Sequence, residues 1–212
     1  MNKLRLAVIF DQNIRAGGGY QQALNAVLLT TNLKDQVATL IYYTTVNENI
    51  RILADYGIQV ELIEFSYAQK VLARIMRLGL LSRLISRIKR DKPTSMFENY
   101  LVKRQIDLVY FLSPSNWACE LDRLNYMITL WDLCHRDEPE FPEVRNRSEY
   151  DRREIYFRSV LPRAVAVFVE SDLGKKNVVH RYGVVEERVY VMPFQAAVST
   201  RRPKVMTEDA SI

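Results

Sequence analysis

LRLAVIF (Leu4–Phe10), AGGG (Ala16–Gly19), a helical pattern over Tyr20–Leu33 and VATLIYY (Val37–Tyr43) open the chain. They read as strand, glycine bend, helix and strand. A short, nearly continuous apolar run marks a parallel strand buried on both faces. The order strand–helix–strand therefore predicts a βαβ unit, and with it an α/β fold. The same alternation continues outward. Ile58–Phe65, Ile106–Leu112, Tyr126–Trp131, Ala164–Glu170 and Arg188–Met192 read as further strands. Helices are expected over Val46–Tyr56, stopped by Gly57, and over Met96–Lys103 and Ser148–Leu161. Another runs from a cap at Ser171 or Asp172 to Tyr182. His180, near the end of that helix, suits its dipole. The expected fold is a Rossmann-like parallel sheet of about seven strands with helices on both faces.

Composition agrees. The chain has 212 residues, 48% hydrophobic and 26% charged. That balance belongs to a globular domain and excludes a disordered or collagen-like chain. Residues 1–194 are expected to form one domain, and 195–212, small and polar, a linker or disordered tail. Cys119 and Cys134 are too few for a disulfide framework, so a reduced, cytoplasmic setting is expected. The apolar start is short and interrupted by Arg5, unlike a signal peptide. No stretch approaches the roughly 20 apolar residues of a membrane span.

The net charge of +5 is unevenly placed. Lys70, Arg74, Arg77, Arg83, Arg87, Lys89 and Arg90 fall between Ser66 and Arg90 with no acid among them. Removing these seven from the chain's 30 basic side chains leaves fewer than its 25 acidic ones. The segment reads as two helical pieces broken near Gly79. In the second, Arg83, Arg87 and Arg90 share one face and Leu81, Leu84, Ile85 and Ile88 the other. Two readings stand: a surface helix with its arginines in water, or a helix resting on anionic lipid or facing a lipid-linked phosphate acceptor. Tyr67 is the only aromatic in this segment, so nucleic acid is not an expected partner.

Two stretches could carry chemistry. Gly17, Gly18 and Gly19 follow the first strand, at the sheet edge where ligands bind in open α/β folds. The N–H groups of Tyr20, Gln21 and Gln22 would open the helix and attract phosphate; the other reading is a plain turn. The spacing is not G-x-G-x-x-G, and the loop from Asp11 is long. Both argue against a dinucleotide oxidoreductase. The second stretch is WDLCHRDEPEFPE (Trp131–Glu143), a polar loop after strand five at the same edge. Asp132 or His135 could orient a substrate hydroxyl or accept its proton. Asp132 could instead cap the loop through a backbone N–H. No Cys/His spacing suits zinc, and neither a P-loop nor a G-x-S-x-G elbow occurs. No metal is expected.

As an ordered set these pieces resemble a known family. AVIF followed by AGGGYQQALN, then ITLWDLCHRDEPEFPEV, YFRSVLPRAVAVFVESDLGKKNVVHRYGV and EERVYVMPF are similar to the N-terminal domain of family-4 retaining glycosyltransferases of GT-B fold. The likeness covers about residues 4–194 and is strongest to bacterial polysaccharide-assembly enzymes. It implies transfer of a sugar from a nucleotide-sugar donor to a saccharide or lipid-linked acceptor. The glycine turn, Gly17–Gly19, would approach the donor phosphates. The family's His-Asp after strand five is Trp131-Asp132 here, and His135, three residues on, is the candidate replacement. By this resemblance the chain stops where a C-terminal donor-binding domain should begin. It is expected to be inactive alone, since catalysis needs groups from both sides of the cleft. The competing expectation is a non-catalytic peripheral module that binds anionic membrane, at the inner membrane face, or anionic glycan through its basic helices.

Overall fold

In the computed structural model, the seven strands among the described residues run parallel to their neighbours, in the order β3-β2-β1-β4-β5-β6-β7. The model describes residues 3–13, 17–33, 37–64, 95–145 and 148–196. The strands are β1 (Leu4–Ile9), β2 (Ala38–Thr44), β3 (Val60–Leu62), β4 (Leu108–Phe111), β5 (Asn125–Thr129), β6 (Ala166–Val169) and β7 (Val189–Val191). The described helices are α1 (Gly18–Thr30), α2 (Glu48–Ala54), α3 (Met96–Lys103), α4 (Cys134–Asp137), α5 (Pro142–Arg145), α6 (Glu149–Val160) and α7 (Asp172–Tyr182). The expected Rossmann-like α/β sheet is the fold of the chain. The basic stretch 66–90, with Arg83, Arg87 and Arg90, lies outside the described residues.

Alternation along the central strands divides two cores. Ala7 and Ile9 of β1 join Val109 and Phe111 of β4 in one, closed by Phe97 and Leu101 of α3, Phe157 of α6 and Val178 of α7. Leu6 and Val8 join Tyr110 in the other, closed by Ala23, Leu24 and Val27 of α1 and Leu53 of α2. A central parallel strand buried on both faces needs apolar side chains at odd and even positions alike, which is why LRLAVIF reads as a continuous run.

The loops are fixed by buried polar groups. Glu98, in the first turn of α3, is fully buried, and its Oε1 accepts from the backbone N–H of Asp122, Arg123 and Leu124 at 2.9, 2.6 and 2.8 Å. That carboxylate ties the turn before β5 to α3. After β7 the chain folds back on α1. Gln195 accepts from the Asn25 amide at 3.0 Å and from the Gln22 amide at 3.2 Å.

Two expectations are corrected, the strand bounds and the loop after β5. β3 spans three residues rather than eight, and β5 ends at Thr129, so Trp131 stands beyond the sheet. The stretch Asp132–Glu143 is not a plain polar loop. It holds α4 and leads into α5, each four residues long and each burying one side chain, His135 and Val144. One buried residue per element is too little for a periodic signal. Between β4 and β5, Asn116–Glu120 forms a 3-10 turn started by Ser115, whose Oγ accepts from the N–H of Trp117 at 3.3 Å.

Candidate functional site

From β1 the chain returns through β2 and β3 on one side, and from β4 it proceeds to β7 on the other. The carboxyl ends of β1 and β4 therefore flank the crevice where ligands of such sheets bind. The glycine bend, the 113–116 turn and the Trp131–Asp132 loop all sit at this edge.

The bend and the loop touch. Gly17 adopts φ 61°, ψ −121°, a conformation that excludes most side chains, and α1 starts at Gly18. A Cβ on Gly19 would lie 2.5 Å from Cζ3 and 2.7 Å from Cη2 of Trp131. The indole is thus packed against the first turn of α1, in space only glycine leaves open. The Tyr20 side chain faces away from the bend. Its side chain is buried, edge-on to Phe10 with ring centroids 5.4 Å apart, and burial pushes its hydroxyl pKa up. The Gln21 N–H is spent on the Gly17 carbonyl at 3.3 Å. The N–H groups that a helix start leaves outside its own ladder are those of Gly18, Gly19 and Tyr20.

On its other side, Trp131 lines a pocket of about 360 Å³. The turn after β4 supplies Pro114 and Asn116, the loop after β5 supplies Trp131 and Asp132, and α6 supplies Arg152, Arg153, Tyr156 and Phe157. Asp132 is 53% exposed; its Oδ1 accepts from the Cys134 N–H at 3.1 Å and pairs with Arg153 Nη1 at 3.3 Å. The loop-capping reading of Asp132 is therefore realised, and the same carboxylate borders the pocket. It also borders a second cavity of about 170 Å³ toward Glu170 and Gly174.

Asp11, two residues past the end of β1, carries a role that its position as a loop start did not reveal. Its carboxylate accepts from Ser115 Oγ at 2.5 Å and Ser113 Oγ at 3.2 Å. Burial raises its pKa, opposed by those two serine bonds. It holds the turn that carries Pro114 and Asn116, and Tyr156 secures the same turn by donating to the Ser115 carbonyl at 2.9 Å. An acid just past a buried strand, at the ligand edge, was the available signal.

His135 lies behind the site rather than in it. Its side chain is fully buried, with Nε2 2.9 Å from Glu154 Oε1. Glu154 also accepts from Arg136 Nε at 2.6 Å, Arg136 Nη2 at 2.5 Å, Tyr182 Oη at 2.7 Å and Arg158 Nε at 3.1 Å. The Arg136 fork holds the Glu154 carboxyl far below the usual carboxylate range. Burial lowers the His135 pKa, with the Glu154 contact opposing it. An ionised carboxylate only accepts, so Nε2 of the neutral ring carries the proton. The cluster joins α4 to α6 and α7 and thereby fixes the loop that bears Asp132. Among the described residues, no three His, Cys, Asp or Glu side chains are grouped to hold a metal, and no helix is long and apolar enough to cross a membrane.

No family model matches the sequence, and no curated protein matches it. Solved structures with a similar fold include the following two. A glycosyltransferase from Rickettsia africae ESF-5 shares 13% identity over 91% of this chain and 43% of its own, with a TM-score of 0.45. A protein named as a UDP-N-acetylglucosamine 2-epimerase from Listeria monocytogenes shares 12% identity over 90% of this chain and 45% of its own, with a TM-score of 0.49. The chain spans less than half the length of either. At such identity the likeness concerns the fold alone.

Proposed function

We propose that this chain is the acceptor-side half of a retaining glycosyltransferase, which transfers a sugar from a nucleotide-sugar donor to a saccharide or lipid-linked acceptor. The observation that supports the reading is the close packing of Gly19 against Trp131, the residue beside Asp132, which sets the glycine bend next to one wall of the pocket that Asp132 borders. In this reading the first-turn N–H groups of α1 face the donor phosphates, favoured by the helix dipole. The acceptor ring lies in the pocket against Trp131 and Tyr156, whose flat apolar faces suit the C–H face of a pyranose. Asp132 orients the attacking hydroxyl and accepts its proton. Arg83, Arg87 and Arg90 attract a lipid-linked acceptor or the anionic surface that holds it. A second domain closes the cleft and supplies most donor contacts, so this chain alone does not turn over.

Equilibrium titration of the chain with short saccharides and with nucleotide-sugars tests the proposal. Saccharide binding is expected in the millimolar range, with Trp131→Ala abolishing it and Asp132→Asn weakening it. Nucleotide-sugar binding is expected to be weaker still. Saccharide affinity unchanged in both variants would refute the site, and transfer of radiolabelled sugar by the chain alone would refute the need for a second domain.

A further inference from the structure

The pocket beside Asp132 carries a charge that a neutral acceptor leaves unused. Its described lining holds two guanidinium groups, Arg152 and Arg153, against one carboxylate, Asp132. Arg153 is committed within the protein. Its Nε donates to Glu149 Oε1 at 2.8 Å, and its Nη1 reaches Asp132 Oδ1 at 3.3 Å and Cys134 Sγ at 3.4 Å. Arg152 meets the other oxygen of Glu149 through Nη2, and its side chain is 76% exposed. A guanidinium offers five N–H donors in a planar fork, so most of the Arg152 fork is unspent at the pocket. Glu149 divides one negative charge between two arginines, which leaves Arg152 the less compensated of the pair.

We propose that this pocket selects an acidic sugar, an acceptor residue whose carboxylate or phosphate oxyanion is clasped by Arg152. The proposal rests on the reading of the site as a saccharide pocket and names the class of saccharide. Forked pairing with an oxyanion is the geometry a guanidinium performs best and an ammonium does not reproduce. The aromatic faces of Trp131 and Tyr156 receive the ring, and Asn116 and Asp132 offer polar groups to its hydroxyls. A volume of about 360 Å³ falls in the range of a small-ligand site. An ion without a ring would engage the arginine and leave the aromatic wall unused.

The test compares three ligands on the chain at low salt: methyl β-glucoside, methyl β-glucuronide and glucose 6-phosphate, by calorimetry or ligand-observed NMR. At least one acidic sugar binds about five- to tenfold more tightly than the glucoside, a modest gain because Arg152 is exposed. The arm that shows the gain identifies carboxylate or phosphate as the oxyanion. Arg152→Gln brings the acidic sugar to the level of the glucoside, and Arg152→Glu brings it below. Arg152 is on the surface of α6, so both variants keep the fold, which circular dichroism checks. Equal binding of neutral and acidic sugars, or a preference that survives Arg152→Gln, overturns acidic selection and leaves the saccharide reading standing. Binding of none of the three overturns both.

Discussion

Substituting the three glycines of the bend by alanine, one at a time, produces three different outcomes if the bend packs as described. At Gly19 the new Cβ would lie 2.5 Å from a rigid indole edge, well inside any real contact distance. Trp131 or α1 must shift, and such overpacking costs about 1–3 kcal/mol. For a domain of this size that lowers Tm by about 3–10 °C. At Gly18 the Cβ meets nothing within 4 Å, and alanine in a helix gains up to about 1 kcal/mol over glycine. At Gly17 there is also open space, but φ of 61° with ψ of −121° strains any side chain, at about 1–3 kcal/mol. Gly17→Ala and Gly19→Ala are thus both destabilising, for different reasons, and a double-mutant cycle separates them. In a Trp131→Ala background the Gly19→Ala cost disappears, a coupling of about 2 kcal/mol, while the Gly17→Ala cost persists. Urea unfolding of the parent and these six variants measures all of this. If Gly19→Ala behaves like Gly18→Ala, or if Trp131→Ala gives no relief, the bend and the strand-five loop are not in contact and the proposed site loses its support.

Glu98→Ala leaves three half-buried N–H groups without their acceptor and is expected to cost about 2–4 kcal/mol in urea unfolding, while Glu98→Gln, which keeps one acceptor oxygen, costs less. Because the Glu154 pKa is depressed in the folded state, the stability it confers is complete above its unfolded value of about 4.3 and is lost as pH falls toward the folded value; Glu154→Gln is therefore less stable at pH 7 and loses less on acidification. The His135 pKa is also lowered, so the unfolded chain takes up the proton first and stability declines as pH falls below about 6.5; His135→Phe removes that part of the pH dependence, as acid titration of Tm will show. The chain is expected to co-sediment with anionic liposomes at low salt, and replacing Arg83, Arg87 and Arg90 together by alanine to abolish it; absence of binding in the parent chain would remove the lipid-surface role.

The sheet was legible because central parallel strands must be apolar on both faces, and LRLAVIF and IDLVYFL could be little else. Helix ends were legible where a cap or stop is local, as at Ser171, whose Oγ accepts from the Gly174 N–H at 3.0 Å. Placement of the glycine bend and Asp132 at one edge followed from strand polarity alone. The contact between them did not, because nothing in the sequence says that an indole fills the space over Gly19. The surroundings of His135 were hidden for a similar reason. A histidine in a stretch rich in acids reads as chemistry, and its buried contact with Glu154, which also receives Arg136 and Tyr182, depends on three helices far apart in sequence. Arg152, Arg153 and Tyr156 were unreadable as pocket residues because their periodicity marks a helix surface and does not tell which neighbour that surface meets. Asp11 was overlooked because its partners, Ser113 and Ser115, lie about a hundred residues away.

Backbone amide NMR during titration with a short saccharide asks the central question most directly. The account predicts that shifts concentrate at Gly18, Gly19, Asn116, Trp131, Asp132 and the Arg152–Tyr156 turn of α6, and that Trp131→Ala erases them. Shifts confined to another surface, or a saccharide bound equally well without Trp131, would contradict it.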